Sequence, residues 1–490
     1  MKQDKINIII LVLIFLLILP FFYLHQGLFL IDTGREFYIP QQMLNGEVLY
    51  KDIFNIYGAL SYQINAFLFF VFGQKISVLS IAGVFNSLLI IITLYLLSRE
   101  FLNKPISFLL SLFNCFSLVF PTFLYNSNLT YSFAIVYALS SFLLSLLFLI
   151  KYIKNGNKYC AYFACLFAGI SIANKYEFIF YLLILAYSIK NIGLKSAVKA
   201  FLCFSVIPFI SYLILFAQGL NFNDIKISIE LINNLIHAPL IKQFFIKTSL
   251  SVLNGGVLGL FAFIPILNII LLLINRKTII QNKPLCILIL SAIASSAKSF
   301  LVLNVNHMGV FLLPVCFLAF IAILNINYQK YISFILTAGI LIFACSDFSS
   351  LQQKDYFMIT QKGEIYTYKK EGVLINNITD YIFKNTKPED RVVVMPEGCI
   401  INFITDRKGD NIYYNLSPLF YYDVFGEKNI IENFKKNLPE YFVILPIDNR
   451  EYGFSFFGID YAADFYKVIT ENYNLVFSKN DTKIYKLSEP

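Results

Sequence analysis

The chain opens with Lys2 and Lys5 and then an almost unbroken apolar run from Ile6 to Leu24. A run of about 19 residues is long enough to cross about 30 Å of hydrocarbon as a helix. Its exit, Leu19-Pro20-Phe21-Phe22-Tyr23, lacks the small-residue cleavage pattern of a secretory signal, so this run is expected to remain as a first span. Further apolar runs predict spans at Ser77–Leu97, Pro105–Phe120, Ser132–Ile150, Tyr159–Ala173, Phe178–Ile189, Ala200–Ala217, Val252–Ile274, Pro284–Ala297, Gly309–Leu324 and Ile332–Cys345. The count is about eleven, with several runs on the short side of a full crossing.

Two regions break this pattern. Between the first two runs, residues 25–76 mix apolar residues at helical spacing with Asp32, Arg35, Glu36, Glu47, Lys51 and Asp52. Each of the stretches Gly34–Leu44 and Leu60–Phe72 has an apolar and a polar face, which predicts two helices lying along the membrane interface, separated by an Asn45-Gly46 turn. From 347 to 490 charges return and no run is long enough to span. That tail predicts helices at Leu374–Asn385, Lys428–Asn437 and Ile459–Tyr473, and strands at Arg391–Met395, Tyr441–Leu445, Asn474–Phe477 and Lys483–Leu487, which together make a small α/β domain. The expected organisation is therefore a helical polytopic membrane domain over 1–346 and an α/β domain over 347–490.

Composition agrees with a membrane class: 58% of the 490 residues are hydrophobic and 14% charged, with a mean hydropathy of +0.68. Lysines and arginines such as Arg99, Lys104, Lys151, Lys154, Lys158, Lys190, Lys195 and Lys199 fall in alternate loops, which places those loops and the N-terminus in the cytoplasm. An odd number of spans then carries the α/β domain and Asp32 to the opposite side. The net charge of +9 is largely this topological signal and gives no reason to expect nucleic acid. Abundant Ile, Asn and Lys point to an AT-rich genome and a bacterial inner membrane. Cys399 is the only cysteine in the tail, so no disulfide forms inside it, and no cysteine pair has zinc-site spacing.

Asp32 lies just past the membrane exit of the first run, in Ile31-Asp32-Thr33-Gly34-Arg35-Glu36. A carboxylate there meets lipid head groups on one side and water on the other, where it can take a proton from a hydroxyl. The segments Asp32-Thr33-Gly34-Arg35, Leu44-Asn45-Gly46, Leu49-Tyr50-Lys51-Asp52, Tyr57-Gly58-Ala59-Leu60 and Asn65-Ala66-Phe67-Leu68, closing at Phe72-Gly73, resemble the first external loop of C-type (GT-C) membrane glycosyltransferases. The resemblance is to the bacterial branch of glycosyltransferase family 39, related to protein O-mannosyltransferases and lipid A aminoarabinose transferases. It implies a sugar donor on a polyprenyl phosphate and an inverting transfer to a glycolipid, cell-envelope glycan or protein, with Asp32 as base. A phosphate leaves already anionic, so such a site needs cations in place of a second acid. Many relatives follow the aspartate with another acid, whereas Thr33 stands here. The tryptophan signature of oligosaccharyltransferases is absent from a chain without tryptophan.

The candidate substrate-binding residues each have a plainer alternative. Asp32 can cap the helix beginning at Gly34. Arg35 sits one turn away and can hold a phosphate oxygen, or can pair with Glu36 on an exposed face. Asp52 can orient its own loop. Lys175, in the tight turn Asn174-Lys175-Tyr176-Glu177, can meet the donor phosphate or pair with Glu177. Lys298 and His307 flank a segment before Gly309-Val310-Phe311-Leu312-Leu313-Pro314, which resembles the late span of the same family. Pro396-Glu397-Gly398-Cys399 resembles a segment near the acceptor, although a simple strand-to-helix turn explains it. No cofactor and no metal is predicted, while His25, Asp32, Glu36 and Asp52 leave room for a divalent ion. A transporter or flippase of lipid-linked saccharides is the competing function. It predicts ionisable residues deep within spans, whereas these cluster at one face.

Overall fold

The computed structural model describes residues 2–122, 126–250, 260–297 and 313–488. The membrane portion comprises α1 (Lys2–Phe22), α2 (Gly34–Leu44), α3 (Leu60–Phe72), α4 (Ile76–Ser98), α5 (Lys104–Asn114), α6 (Phe133–Asn155), α7 (Lys158–Asn174), α8 (Tyr181–Ile189), α9 (Leu194–Ala217), α10 (Phe222–His237), α11 (Pro239–Leu250), α12 (Ile264–Ile274), α13 (Arg276–Gln281), α14 (Lys283–Ser295), α15 (Leu313–Asn327) and α16 (Gln329–Leu351). Among the described residues α1, α4, α6, α9 and α16 are long and apolar enough to cross a bilayer. The other predicted spans coincide with shorter apolar helices, and those at Val252–Ile274 and Gly309–Leu324 begin outside the described residues.

α6 is the axis of the bundle, buried along nearly its whole length from Phe133 to Ile150. α7 packs on it with a small-residue face of Ala161, Ala164, Cys165 and Ala168, which lets two backbones approach closely. Gly169 extends that face towards α9, where an added Cβ would lie 2.0 Å from the Phe204 carbonyl oxygen. The outer helices do the reverse and expose large apolar side chains: Leu13, Leu16, Leu17 and Phe21 on α1, and Phe201, Phe209 and Leu213 on α9. An exposed apolar face of that extent is stable only in hydrocarbon. The protein is a multi-pass membrane protein.

The C-terminal domain contains a hairpin, β1 (Tyr356–Thr360) with β2 (Gly363–Thr367), then α17 (Lys369–Asn385), β3 (Val392–Met395), α18 (Cys399–Thr405), α19 (Glu427–Lys436), β4 (Tyr441–Ile444), α20 (Ala463–Asn472), β5 (Tyr473–Lys479) and β6 (Thr482–Leu487). The last four strands form one sheet in the order β3-β4-β6-β5, in which β3 and β4 run parallel and the rest antiparallel. The parallel pair is buried on both faces, as its unbroken apolar sequence requires. Asn480 and Asp481 both take positive φ in the two-residue β5–β6 turn, a conformation these residues tolerate well.

The structure departs from the sequence expectation at α2, whose residues Gly34 to Gln42 are all buried. Tyr38 and Gln41, on its polar side, face the C-terminal domain. The Tyr38 hydroxyl donates to Asn411 Oδ1 at 2.7 Å, and Gln41 Nε2 to Asp406 Oδ1 at 2.8 Å. α18 lies directly on the start of α2: an added Cβ on Gly34 would meet the Phe29 carbonyl oxygen at 2.3 Å and Ile400 Cβ at 2.9 Å. Lys354 ties the same region to the bundle by donating to the carbonyls of Gly27 and Thr122. Gly34→Ala should therefore part α2 from α18 and cost about 1–3 kcal/mol. Thermal unfolding in detergent checks this, and an unchanged melting temperature would mean that the two parts do not dock there.

Candidate active site

The site begins where α1 ends. Gly27 has φ +84, and a Cβ on it would strike the Leu129 carbonyl oxygen at 2.8 Å and Thr33 Oγ1 at 2.9 Å, so the chain can turn here only with glycine. Thr33 Oγ1 accepts the Leu28 N–H at 3.0 Å, and Glu371 Oε1, from the C-terminal domain, accepts the Leu30 N–H at 3.1 Å. These bonds fix a wide turn over Phe29–Thr33 that carries Asp32. The Asp32 side chain keeps 27% of its exposure and lies 3.3 Å from Arg35 Nη1, its one polar contact among the described residues. It accepts no backbone N–H of α2, so it does not cap that helix. Enclosure raises its pKa and the Arg35 charge opposes the rise, which makes the carboxylate more basic than usual.

Arg35 is nine-tenths buried. Besides Asp32 it reaches the Tyr131 carbonyl through Nη2 at 3.1 Å, lies over the Tyr57 ring at 5.7 Å, and has Glu36 Oε1 3.7 Å from Nε. Glu36 is fully buried and bonded at both oxygens: Tyr62 Oη donates to Oε1 and the Phe133 N–H to Oε2, each at 2.8 Å. Burial raises its pKa, with Arg35 and these donors pulling the other way. Glu36 thus ties α2 to α3 and to the start of α6 instead of pairing on an exposed face.

Tyr57 carries a second cation. Lys175 Nζ lies 4.2 Å from the centre of its ring and 3.9 Å from Glu177 Oε1, and Lys175 is 3% exposed. The turn that presents Lys175 is seated by Gly58, whose N–H donates to the Asn174 carbonyl and where a Cβ would fall 2.0 Å from the Ala173 oxygen. Tyrosine hydroxyls continue the wall, with Tyr176 Oη 3.3 Å from Tyr50 Oη and 2.7 Å from Tyr212 Oη.

Two small crevices open beside Arg35. One, too narrow in this conformation to admit a water molecule, is lined by Ile31, Arg35, Glu397, Gly398, Cys399, Tyr414 and Asn415. The other, barely wide enough for a water molecule, runs from Arg35, Tyr414 and Asn415 past Asn55, Tyr57 and Tyr62. Burial and the nearby Asp32 charge push the Glu397 carboxyl up to about 8.

The structure thus gathers Asp32, Arg35, Glu36, Lys175 and Glu177 around Tyr57 and α2. Asp52 accepts the Val48 N–H at 2.9 Å and closes its own turn. Lys298 and His307 lie outside the described residues. Among the described residues no three His, Cys, Asp or Glu side chains converge as metal ligands would. The candidate residues taken from the sequence lacked Tyr57, Tyr62, Tyr131, Tyr414 and Glu397. Glu397 had a signal in the Pro396-Glu397-Gly398-Cys399 turn, and Tyr57 in the Tyr57-Gly58-Ala59-Leu60 segment.

No known family profile matches the chain and no curated protein does. Solved structures do. ArnT from Cupriavidus metallidurans superposes in its apo state with a TM-score of 0.59, and bound to undecaprenyl phosphate with 0.56. Both are 11% identical and cover 97% of each chain. The archaeal oligosaccharyltransferase AglB from Archaeoglobus fulgidus, in complex with an inhibitory peptide and a dolichol-phosphate, gives 0.50 at 13% identity, covering 90% of this chain and 69% of that one. The chain has the GT-C fold. In this GT-C chain the loop after α1 and the C-terminal domain close over one another, with Asp32, Arg35 and Glu397 at the seam.

Glu36→Ala should strand the Tyr62 hydroxyl and the Phe133 N–H and leave Arg35 with one fewer counter-charge, a loss of about 3–5 kcal/mol. Unfolding of the purified variant measures it. A loss below about 1 kcal/mol would contradict the bridging role.

Proposed function

We propose that the protein is an inverting glycosyltransferase that moves a sugar from a polyprenyl-phosphate donor to the hydroxyl of an acceptor at the outer face of a bacterial inner membrane. The observation that carries the reading is the pairing of one partly open carboxylate, Asp32, with the buried guanidinium of Arg35, beside a second buried cation, Lys175, on the shared ring of Tyr57. The fold shared with ArnT bound to undecaprenyl phosphate and with AglB in complex with a dolichol-phosphate supports the donor class.

The chemistry follows from the groups present. The acceptor oxygen attacks the anomeric carbon as its proton passes to Asp32. The bond from that carbon to the phosphate oxygen breaks, and its electron pair leaves with the polyprenyl phosphate. Arg35 and Lys175 hold the growing phosphate charge in a site that excludes most water, where fixed cations are worth more than in solution. Because the leaving group is already an anion, no acid need protonate it. Attack opposite the leaving phosphate inverts the anomeric carbon. Domain roles follow the same division, with 1–346 binding the donor and 347–490 covering the acceptor side.

Transfer from undecaprenyl-phosphate hexoses and pentoses to a panel of glycolipid, glycan and peptide acceptors tests the reading. Asp32→Asn should lower kcat by about 10²–10⁴-fold while leaving undecaprenyl phosphate binding nearly intact. Lys175→Ala should do the converse, weakening undecaprenyl phosphate binding about 10–100-fold as one charge-assisted contact is lost. An Asp32→Asn variant as active as the wild type would remove the base from its role.

A further inference from the structure

The β1–β2 hairpin sits between two span ends. The Ile76 N–H, at the start of α4, donates to the Lys362 carbonyl in the hairpin turn at 2.9 Å, and the Tyr366 N–H of β2 donates to the Leu24 carbonyl, just past α1, at 3.0 Å. Tyr366 also stacks on His25, with ring centres 3.9 Å apart. These contacts fix the hairpin at the level where the spans leave the bilayer. Its outward face agrees: Phe357 and Ile359 are exposed there, while Met358 and Ile365, on the opposite face, are buried. Phe67, Phe70, Val71 and Phe72 expose a second apolar patch at the end of α3. Between that end and the hairpin turn lies a cavity of about 580 Å³. Leu44 of α2 and Phe70 of α3 supply apolar lining, while Gln74 and Lys75 before α4 and Gln361 and Lys362 of the turn supply polar lining. That volume is typical of small-molecule sites, which run to about 300–1,000 Å³.

We propose that this cavity holds the head of an anionic glycerophospholipid, of the phosphatidylglycerol type, from the leaflet that borders the C-terminal domain. Its lining carries two lysines and no carboxylate. Lys362 Nζ lies 2.6 Å from Asp406 Oδ1, which also accepts from Gln41, so Asp406 offsets one of the two charges. Lys75 is exposed and has no ion pair among the described residues. Glu364 stands opposite Ile359 on the hairpin and does not line the cavity. A net positive charge therefore remains for a phosphodiester. Gln74, whose Oε1 accepts from Gln41, keeps its amide N–H groups for the oxygens of the head group. A zwitterionic lipid would bring an ammonium to a wall without a carboxylate. The acyl chains lie against the exposed phenylalanines of α3. This site is separate from the one at Tyr57 and independent of the transferase reading: Phe70 lies about 12 Å along α3 from Tyr62, which bonds Glu36. A lipid held there touches α2, α3 and the hairpin at once, and so braces the C-terminal domain against the bundle.

Full-length protein in nanodiscs of phosphatidylcholine, with and without phosphatidylglycerol, tests the proposal. Native mass spectrometry of protein released from the mixed discs should show phosphatidylglycerol retained in preference to phosphatidylcholine, and thermal unfolding should occur at a higher temperature in the mixed discs, because a ligand of the folded state stabilises it. Lys75→Gln should weaken retention roughly 5-fold and shrink the thermal shift. Lys226→Gln removes an exposed lysine of α10 that lies outside the cavity, and it should change neither reading. Equal losses in Lys75→Gln and Lys226→Gln would mean diffuse attraction to an anionic surface and would overturn the site. Equal retention of phosphatidylcholine would overturn it as well. Displacement of the retained lipid by undecaprenyl phosphate at equal concentration would assign the cavity to a polyprenyl lipid and contradict the proposal. None of these outcomes depends on transfer activity.

Discussion

The guanidinium of Arg35 is nine-tenths buried, and a charge placed there must be compensated locally or the fold must yield. Asp32 at 3.3 Å, the Tyr131 carbonyl at 3.1 Å and Glu36 at 3.7 Å supply that compensation from three directions. Each partner in turn fixes an element. Asp32 belongs to the wide turn after α1, Tyr131 leads into α6, and Glu36 holds Tyr62 of α3 and the first N–H of α6. Removing one partner leaves a buried charge short of its counter-charge, a much larger loss than that of a surface ion pair. The same constraint has a chemical use. In the proposed transfer, a cation that water cannot solvate would receive the leaving anion, and the carboxylate that neutralises it in the free protein would take the proton.

The charged groups at the seam are anchored on elements of both halves. The cations ride on elements set by the membrane bundle: Arg35 on α2, and Lys175 on the turn between α7 and α8, which Gly58 seats by backbone contact. Glu397 rides on a loop of the C-terminal domain and reaches the seam because Gly398 lets the chain turn between Val394 and Leu445. The two halves are held in register by α2 against α18 and by the bonds of Tyr38, Gln41 and Leu30 to residues far along the chain. The site is therefore only as well formed as that interface.

How much of this was legible in the sequence depended on whether the signal was local. Spans are dictated by hydropathy, and each predicted apolar run that falls within the described residues became a helix. The bounds of α2 and α3 were readable because Asn45-Gly46 breaks the pattern and both helices are amphipathic. Strands β3 and β4 were readable as unbroken apolar runs. The β1–β2 hairpin was not, since it depends on tertiary contacts such as His25 stacked on Tyr366 at 3.9 Å. α18, with seven residues, is too short for its period to register. The start of α20 also moved, to Ala463 from the expected Ile459, because Ala462 takes a positive φ. At the site, Asp32, Arg35 and Lys175 stood out as charges at a membrane exit. The burial of Glu36 depends on a Phe133 N–H that no local pattern announces. Tyr57 read only as part of the Tyr57-Gly58-Ala59-Leu60 loop segment and Glu397 as part of a strand-to-helix turn, until the fold brought both, with Tyr414, beside Arg35.

The most direct test of the account is a structure of the protein in lipid nanodiscs with undecaprenyl phosphate bound. The phosphate is expected within hydrogen-bond reach of both Arg35 and Lys175, beside Tyr57, with the Asp32 carboxylate facing the side from which an acceptor would enter. A phosphate bound elsewhere, or one that leaves the Arg35–Asp32 pair sealed from it, would contradict the account at its centre.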